Sequence, residues 1–149
     1  MDLDFDSSQN TGYVLNDSLI ALNKAWSTET NAIEILPYKD EVVQELQEQL
    51  EQQQENIDQK IEDGIEEEYF VVTLYQMDIE RVRYSLARYL RTRLLKIERS
   101  LEYILSNIDV MDRLSMQEKE FATKLNNLNT SYFEDNVTNR FQQSDAKDH

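Results

Sequence analysis

Apolar residues along this chain recur at spacings of three and four rather than alternating, which is the period of a helix and not of a strand. Leu15, Leu19, Leu22 and Trp26 share one face of a first short helix, which is expected to begin near Asn16 or Asp17, both suited to capping. Pro37 interrupts the pattern. The residue before a proline is driven out of the helical region, so Ile33 to Tyr38 reads as a bend, with Ile33, Ile35, Leu36 and Tyr38 pinning it to the core. Asp40 caps a second helix running to about Glu62, whose narrow stripe is Val43, Leu46, Leu50, Ile57 and Ile61. Gly64 suits the left-handed residue that ends such a helix.

A third helix is expected from around Glu68 to Val71 as far as about Asn107, with no Pro or Gly to stop it. At 1.5 Å per residue, about 38 residues span roughly 57 Å. That is longer than a compact domain of this size is wide. Leu74, Ile79, Val82, Leu86, Leu90, Ile97, Leu101, Ile104 and Ile108 trace one face, and Met77, Tyr84, Ala87, Leu94, Leu95 and Leu105 spread beyond it. A surface helix needs an apolar stripe little more than 100° wide. This one exceeds that width, so either it lies at the middle of a bundle or a second protein covers the surplus. A fourth helix is announced by Ser115-Met116-Gln117-Glu118, a capping box, and continues with Phe121, Leu125, Leu128 and Tyr132. The predicted fold is therefore all-α, a bundle of about four to five helices around one long central helix.

Composition narrows the function classes. Two Gly and one Pro leave no Gly-rich phosphate loop and too few turn residues for a β-sandwich. The chain has no Cys, which removes disulfides, thiol nucleophiles and Cys-ligated metal sites. Its one histidine is His149, so a His-dependent triad or two-His metal site is excluded. No stretch reaches the roughly 18–20 apolar residues of a membrane span. The acidic start, Met1-Asp2-Leu3-Asp4-Phe5-Asp6, does not read as a secretory signal, and an intracellular protein is expected.

The net charge is −15, from 30 Asp+Glu against 15 Lys+Arg. Between Asp40 and Glu68 there are 12 acidic residues and one Lys, which reads as a solvated face. Conversely Arg81, Arg83, Arg88, Arg91, Arg93, Lys96 and Arg99 hold 7 of the 15 positive charges within the third helix. Two readings are open for them: nucleic-acid contact, or pairing with carboxylates of the second helix and of a partner. The overall negative charge opposes the approach of DNA or an anionic membrane and favours the second. The interface group expected on this helix is Tyr84, Leu86, Arg88, Tyr89, Leu90, Arg91, Arg93, Leu94, Lys96 and Ile97. There Tyr and Arg supply hot-spot contacts and the aliphatic residues supply packing.

The third helix also carries a resemblance. Met77-Asp78-Ile79-Glu80-Arg81-Val82-Arg83-Tyr84, then Tyr89-Leu90-Arg91-Thr92-Arg93-Leu94-Leu95-Lys96-Ile97-Glu98, is similar to the core signature of GINS complex subunit four (the SLD-five type). Ala25-Trp26 with Glu29, Glu34-Ile35-Leu36-Pro37-Tyr38, Leu114-Ser115 with Glu118, Phe121-Ala122, and Tyr132-Phe133 resemble the family's flanking elements in order and spacing. The similarity runs from about Leu15 to Phe133.

The resemblance implies a subunit with no catalytic residue and no cofactor or metal. It implies assembly with three related paralogues, within the nucleus, into a heterotetramer. That complex joins the MCM ring and its Cdc-forty-five partner in the eukaryotic replicative helicase, needed for initiation and elongation of DNA replication. The family's small β-rich C-terminal domain is expected to be absent from this chain, which stops at His149. Residues 1–14 read as a flexible acidic tail, 15–135 as the helical domain and 136–149 as a tail or linker. In some members an N-terminal peptide docks on a replisome hub protein, and Leu3 and Phe5 are the candidate docking residues here. The net charge, rather than the resemblance, argues against membrane contact and against direct DNA contact. The alternatives from residues alone are an acidic coiled-coil adaptor that self-associates through the second helix, and a nucleic-acid binder using Arg81 to Arg99. An enzyme built on a surface carboxylate pair ranks behind both, since no nucleophile or histidine singles out one pair.

Overall fold

The computed structural model describes residues 11–64 and 69–145, with side chains at 17–64 and 69–137. Leu3 and Phe5, the candidate docking residues, lie outside the described residues. Among those described, the chain is all-α: α1 Thr11–Asn31, α2 Asp40–Asp63, α3 Tyr69–Arg99, α4 Leu101–Ser106, α5 Ile108–Met111 and α6 Met116–Asp145. They belong to two compact units, one of residues Met1–Glu34 and Lys39–Arg93, the other of Ile35–Tyr38 and Leu94–His149.

In the first unit the periodic stripes become the core. Leu19 and Leu22 of α1, Val43, Leu46, Leu50 and Ile57 of α2, and Val72, Ile79, Val82, Leu86 and Tyr89 of α3 are buried. Burying a large aliphatic side chain contributes about 1.5–3 kcal/mol, so this set outweighs any local helix preference. Helix α2 begins with Asp40 in its first turn and Lys39 as the capping residue, one position earlier than expected. It ends at Gly64, whose φ of 64° is left-handed and whose N–H donates to the Ile61 carbonyl at 3.2 Å. A Cβ at Gly64 would meet nothing closer than the Glu62 carbonyl oxygen at 3.9 Å, so only the backbone conformation resists substitution. Gly64→Ala is therefore expected to lower stability by about 1 kcal/mol, measured by urea unfolding. An unchanged midpoint would show that the cap contributes nothing.

The second unit has its own core: Ile35, Ile97, Leu101, Ile104, Val110, Leu114 and Ala122, with Leu94, Leu105, Met111 and Leu125 partly buried around it. The bend before Pro37 is held by Arg113. Its Nη1 donates to the Ile35 carbonyl at 3.1 Å, while its own carbonyl accepts the Tyr38 N–H at 2.9 Å. Ile35 anchors the bend as expected. Ile33 does not, being 100% exposed. The capping box at Ser115 forms reciprocally, with Ser115 N–H donating to Glu118 Oε2 at 2.9 Å and Glu118 N–H to Ser115 Oγ at 3.2 Å.

Two boundaries depart from expectation. Helix α1 starts at Thr11, ahead of Asn16 and inside the segment read as tail. Helix α6, expected to reach Phe133 or beyond, runs to Asp145, with no Gly or Pro after Met116 to stop it. The long third helix bends at Ser100, where φ −121° and ψ 28° leave the helical region. Helical bonds still flank the bend, from Ser100 N–H to the Lys96 carbonyl and from Ile104 N–H to the Ser100 carbonyl, both 3.0 Å. Asn107 then ends α4 and caps α5, its side chain accepting the Asp109 N–H at 3.1 Å. Ile108, expected on the continuous apolar face, is exposed at the start of α5.

Candidate partner interface

The seam between α1 and α3 is polar and tightly determined. Arg93 is completely enclosed, and its Nη1 reaches Glu29 Oε2 at 3.0 Å, where the carboxylate side chain is only 2% exposed. Its guanidinium also lies 5.9 Å from the centre of the Tyr89 ring. The Tyr89 hydroxyl accepts the Lys39 N–H at 3.2 Å, which ties the start of α2 to α3. One turn earlier on α1, Trp26 Nε1 donates to Thr92 Oγ1 at 3.1 Å, and that hydroxyl donates to the Arg88 carbonyl at 2.9 Å. The Arg88 guanidinium stacks on Trp26 with Cζ 3.6 Å from the ring centre, and Nη2 donates to Asn23 Oδ1 at 3.3 Å.

The ten residues expected at an interface therefore occupy different environments. Leu86, Tyr89, Arg93 and Ile97 are buried within the chain's own packing. Arg88, Leu90, Leu94 and Lys96 are half-buried, and Tyr84 and Arg91 are exposed. The physical reason is register. Val72, Ile79, Leu86 and Arg93 form a heptad series that points inward. A second series two residues out of step, Phe70, Met77, Tyr84 and Arg91, is exposed. Two residues correspond to about 200° of helical rotation, so the two series lie on nearly opposite sides of α3.

The outward series carries large apolar side chains in water: Phe70 is 73%, Met77 65% and Tyr84 66% exposed. Leu74 beside them is also exposed. Scattered exposed apolar residues are ordinary, whereas several aligned on one helix face, here interrupted by Arg81, make that face a candidate for contact with another protein. Phe70 is missing from the residues singled out in the sequence, although its spacing of seven from Met77 and fourteen from Tyr84 was there to find it.

The arginines also sort themselves. Arg81 pairs with Asp78 at 3.4 Å and Arg83 with Glu80 at 2.9 Å, both along α3. Arg83 reaches α2 at the neutral Gln54, with 3.4 Å between Nη2 and Oε1. Carboxylates of the acidic second helix and of a partner were expected to pair with these arginines, but helix periodicity places Asp78 and Glu80 three residues away and within reach. The apolar stripe of α2 is enclosed at Val43, Leu46, Leu50 and Ile57, which leaves no seam for a coiled coil through it.

An open groove of about 840 Å³ lies against α4 and α6, lined by Arg99, Tyr103, Asn126, Asn129, Thr130 and Phe133 among others. Its walls hold amides, aromatic rings and charged groups, with no histidine or cysteine. Among the described residues, no group of three or more His, Cys, Asp or Glu is placed to hold a metal ion. None of the described helices is long and apolar enough to cross a membrane.

Residues 38–136 match the Sld5 GINS complex protein helical bundle domain. The chain is 42% identical over 116 residues to the DNA replication complex GINS protein SLD5 of Arabidopsis thaliana, covering 78% of this chain and 52% of that protein. The human protein of the same name is 34% identical over 84 residues, covering 56% of this chain and 35% of that protein. That of Dictyostelium discoideum is 30% identical over 152 aligned residues, covering 96% of this chain and 70% of that protein. The chain thus spans about half the length of the Arabidopsis protein. With a matching all-α bundle and a match across α2 to α6, the chain belongs to the Sld5 family of GINS complex helical-bundle proteins.

Proposed function

We propose that the chain acts in DNA replication as a non-catalytic structural subunit of the GINS heterotetramer. In this reading it binds the other three GINS subunits, and the complex works in the nucleus with the MCM ring and Cdc-forty-five as part of the eukaryotic replicative helicase. The observation that carries the reading is the outward row Phe70, Met77 and Tyr84 on α3, an apolar face opposite the one already buried. Family membership supports it, since relatives in several eukaryotes bear the name of a replication complex subunit.

The expected result is that the chain, co-expressed with its three sister subunits, elutes from size exclusion as one complex at equal stoichiometry. A chain that stays monomeric beside all three sisters contradicts the assignment.

A further inference from the structure

The outward row of α3 changes chemistry along its length. Phe70 and Met77 are apolar, and the next positions bring Tyr84, Arg88 and Arg91 together over two turns. We propose that Tyr84, Arg88 and Arg91 receive carboxylates from an acidic helix of a sister subunit, an inference that rests on the subunit reading above and specifies its chemistry.

The charge distribution argues for it. Acids outnumber bases two to one in this chain, so intramolecular carboxylates are abundant. Arg81, Arg83 and Arg93 each take one. Arg88 and Arg91 form no ion pair among the described residues. Arg91 is exposed on the outward row. Arg88 is held against the Trp26 ring, 3.6 Å from its centre, and lies 5.7 Å from the centre of the Tyr84 ring. Its bond to Asn23 is to a neutral acceptor, and its Nε has no partner. Stacking orients a guanidinium without neutralising it, so the positive charge stays available to an incoming anion. Because the side chain is already immobilised, little rotamer freedom remains to be lost on docking. A carboxylate matches the planar fork of arginine, and flanking Phe70, Met77 and Tyr84 would cover the apolar residues of the same helix. A phosphate has similar chemistry, but a nucleic acid must approach a chain of net charge −15.

The test uses the full chain with its three sister subunits, measuring the affinity of this chain for the remaining three. Arg91→Glu, at an exposed position, is expected to melt like wild type and to bind more than tenfold more weakly. Binding should recover when a glutamate of the sister helix is replaced by lysine, and wild-type affinity should fall as salt is raised. Arg88→Lys keeps the charge and loses the flat stack, and is expected to give a smaller loss. Wild-type affinity in both variants overturns the proposal, as does loss of duplex DNA binding in Arg91→Glu with assembly unchanged. Failure of the wild-type chain to bind its sisters at all overturns the subunit reading itself, and this proposal with it.

Discussion

Replacing Glu29 with alanine is expected to destabilise the chain by about 3–5 kcal/mol, the usual consequence of removing one member of a buried ion pair. The partner left behind is a guanidinium with no exposed surface, enclosed between α1 and α3. Water cannot reach it to replace the lost carboxylate, and Arg93 cannot turn outward because it sits on the inward heptad series with Val72, Ile79 and Leu86. For a chain of this size, such a loss lowers the melting temperature by roughly 10 °C or more. The pair itself is a different matter. Taking two charges out of water costs nearly what their attraction returns, so Glu29→Met combined with Arg93→Met is expected to recover most of the stability of wild type. Thermal melts of the two single variants and the double variant form a cycle that separates these effects. A Glu29→Ala protein melting within about 2 °C of wild type would show that the pair is not enclosed as described.

The second large effect concerns the two sides of α3. Met77→Asp is expected to leave the helical signal and melting temperature of the isolated chain nearly unchanged, because Met77 already faces water. In the complex, the same aspartate would be buried against a sister subunit, and association should weaken by about 2 kcal/mol or more, some thirtyfold. Ile79→Asp, two residues along, should do the reverse. Ile79 is 3% exposed, so a charge there unfolds the first unit before any partner is met. The comparison by circular dichroism and by binding to the sister subunits isolates the face from the fold. If Met77→Asp assembles as tightly as wild type, the outward row is not an interface.

Much of the fold was legible where the signal is local. The stripe Val43, Leu46, Leu50 and Ile57 marks α2, Gly64 ends it, and Ser115 with Glu118 opens α6, since each depends only on neighbours along the chain. The bend at Ser100 was not legible, because the apolar period continues through Leu101 and Ile104 and serine is only a weak helix breaker. The excess apolar width of α3 could be read, with Met77 and Tyr84 already set beyond the main face, but Phe70 and the exposure of the row could not. That required the burial of the opposite series, Val72, Ile79 and Leu86. Arg93 was hidden for another reason. Its charge argues for the surface, and burial becomes tolerable through partners such as the distant Glu29, which no pattern of spacing connects to it. The family motif places both residues in the right order without saying that they touch.

The bend at Ser100 has a mechanical consequence. Main-chain bonds cross it from Lys96 to Ser100 and from Ser100 to Ile104, and Ile97, Leu101 and Ile104 on either side share one core. It is therefore a stiff elbow rather than a joint. Within the second unit, the last turn of α3 and the start of α4 are thereby locked together as one corner piece.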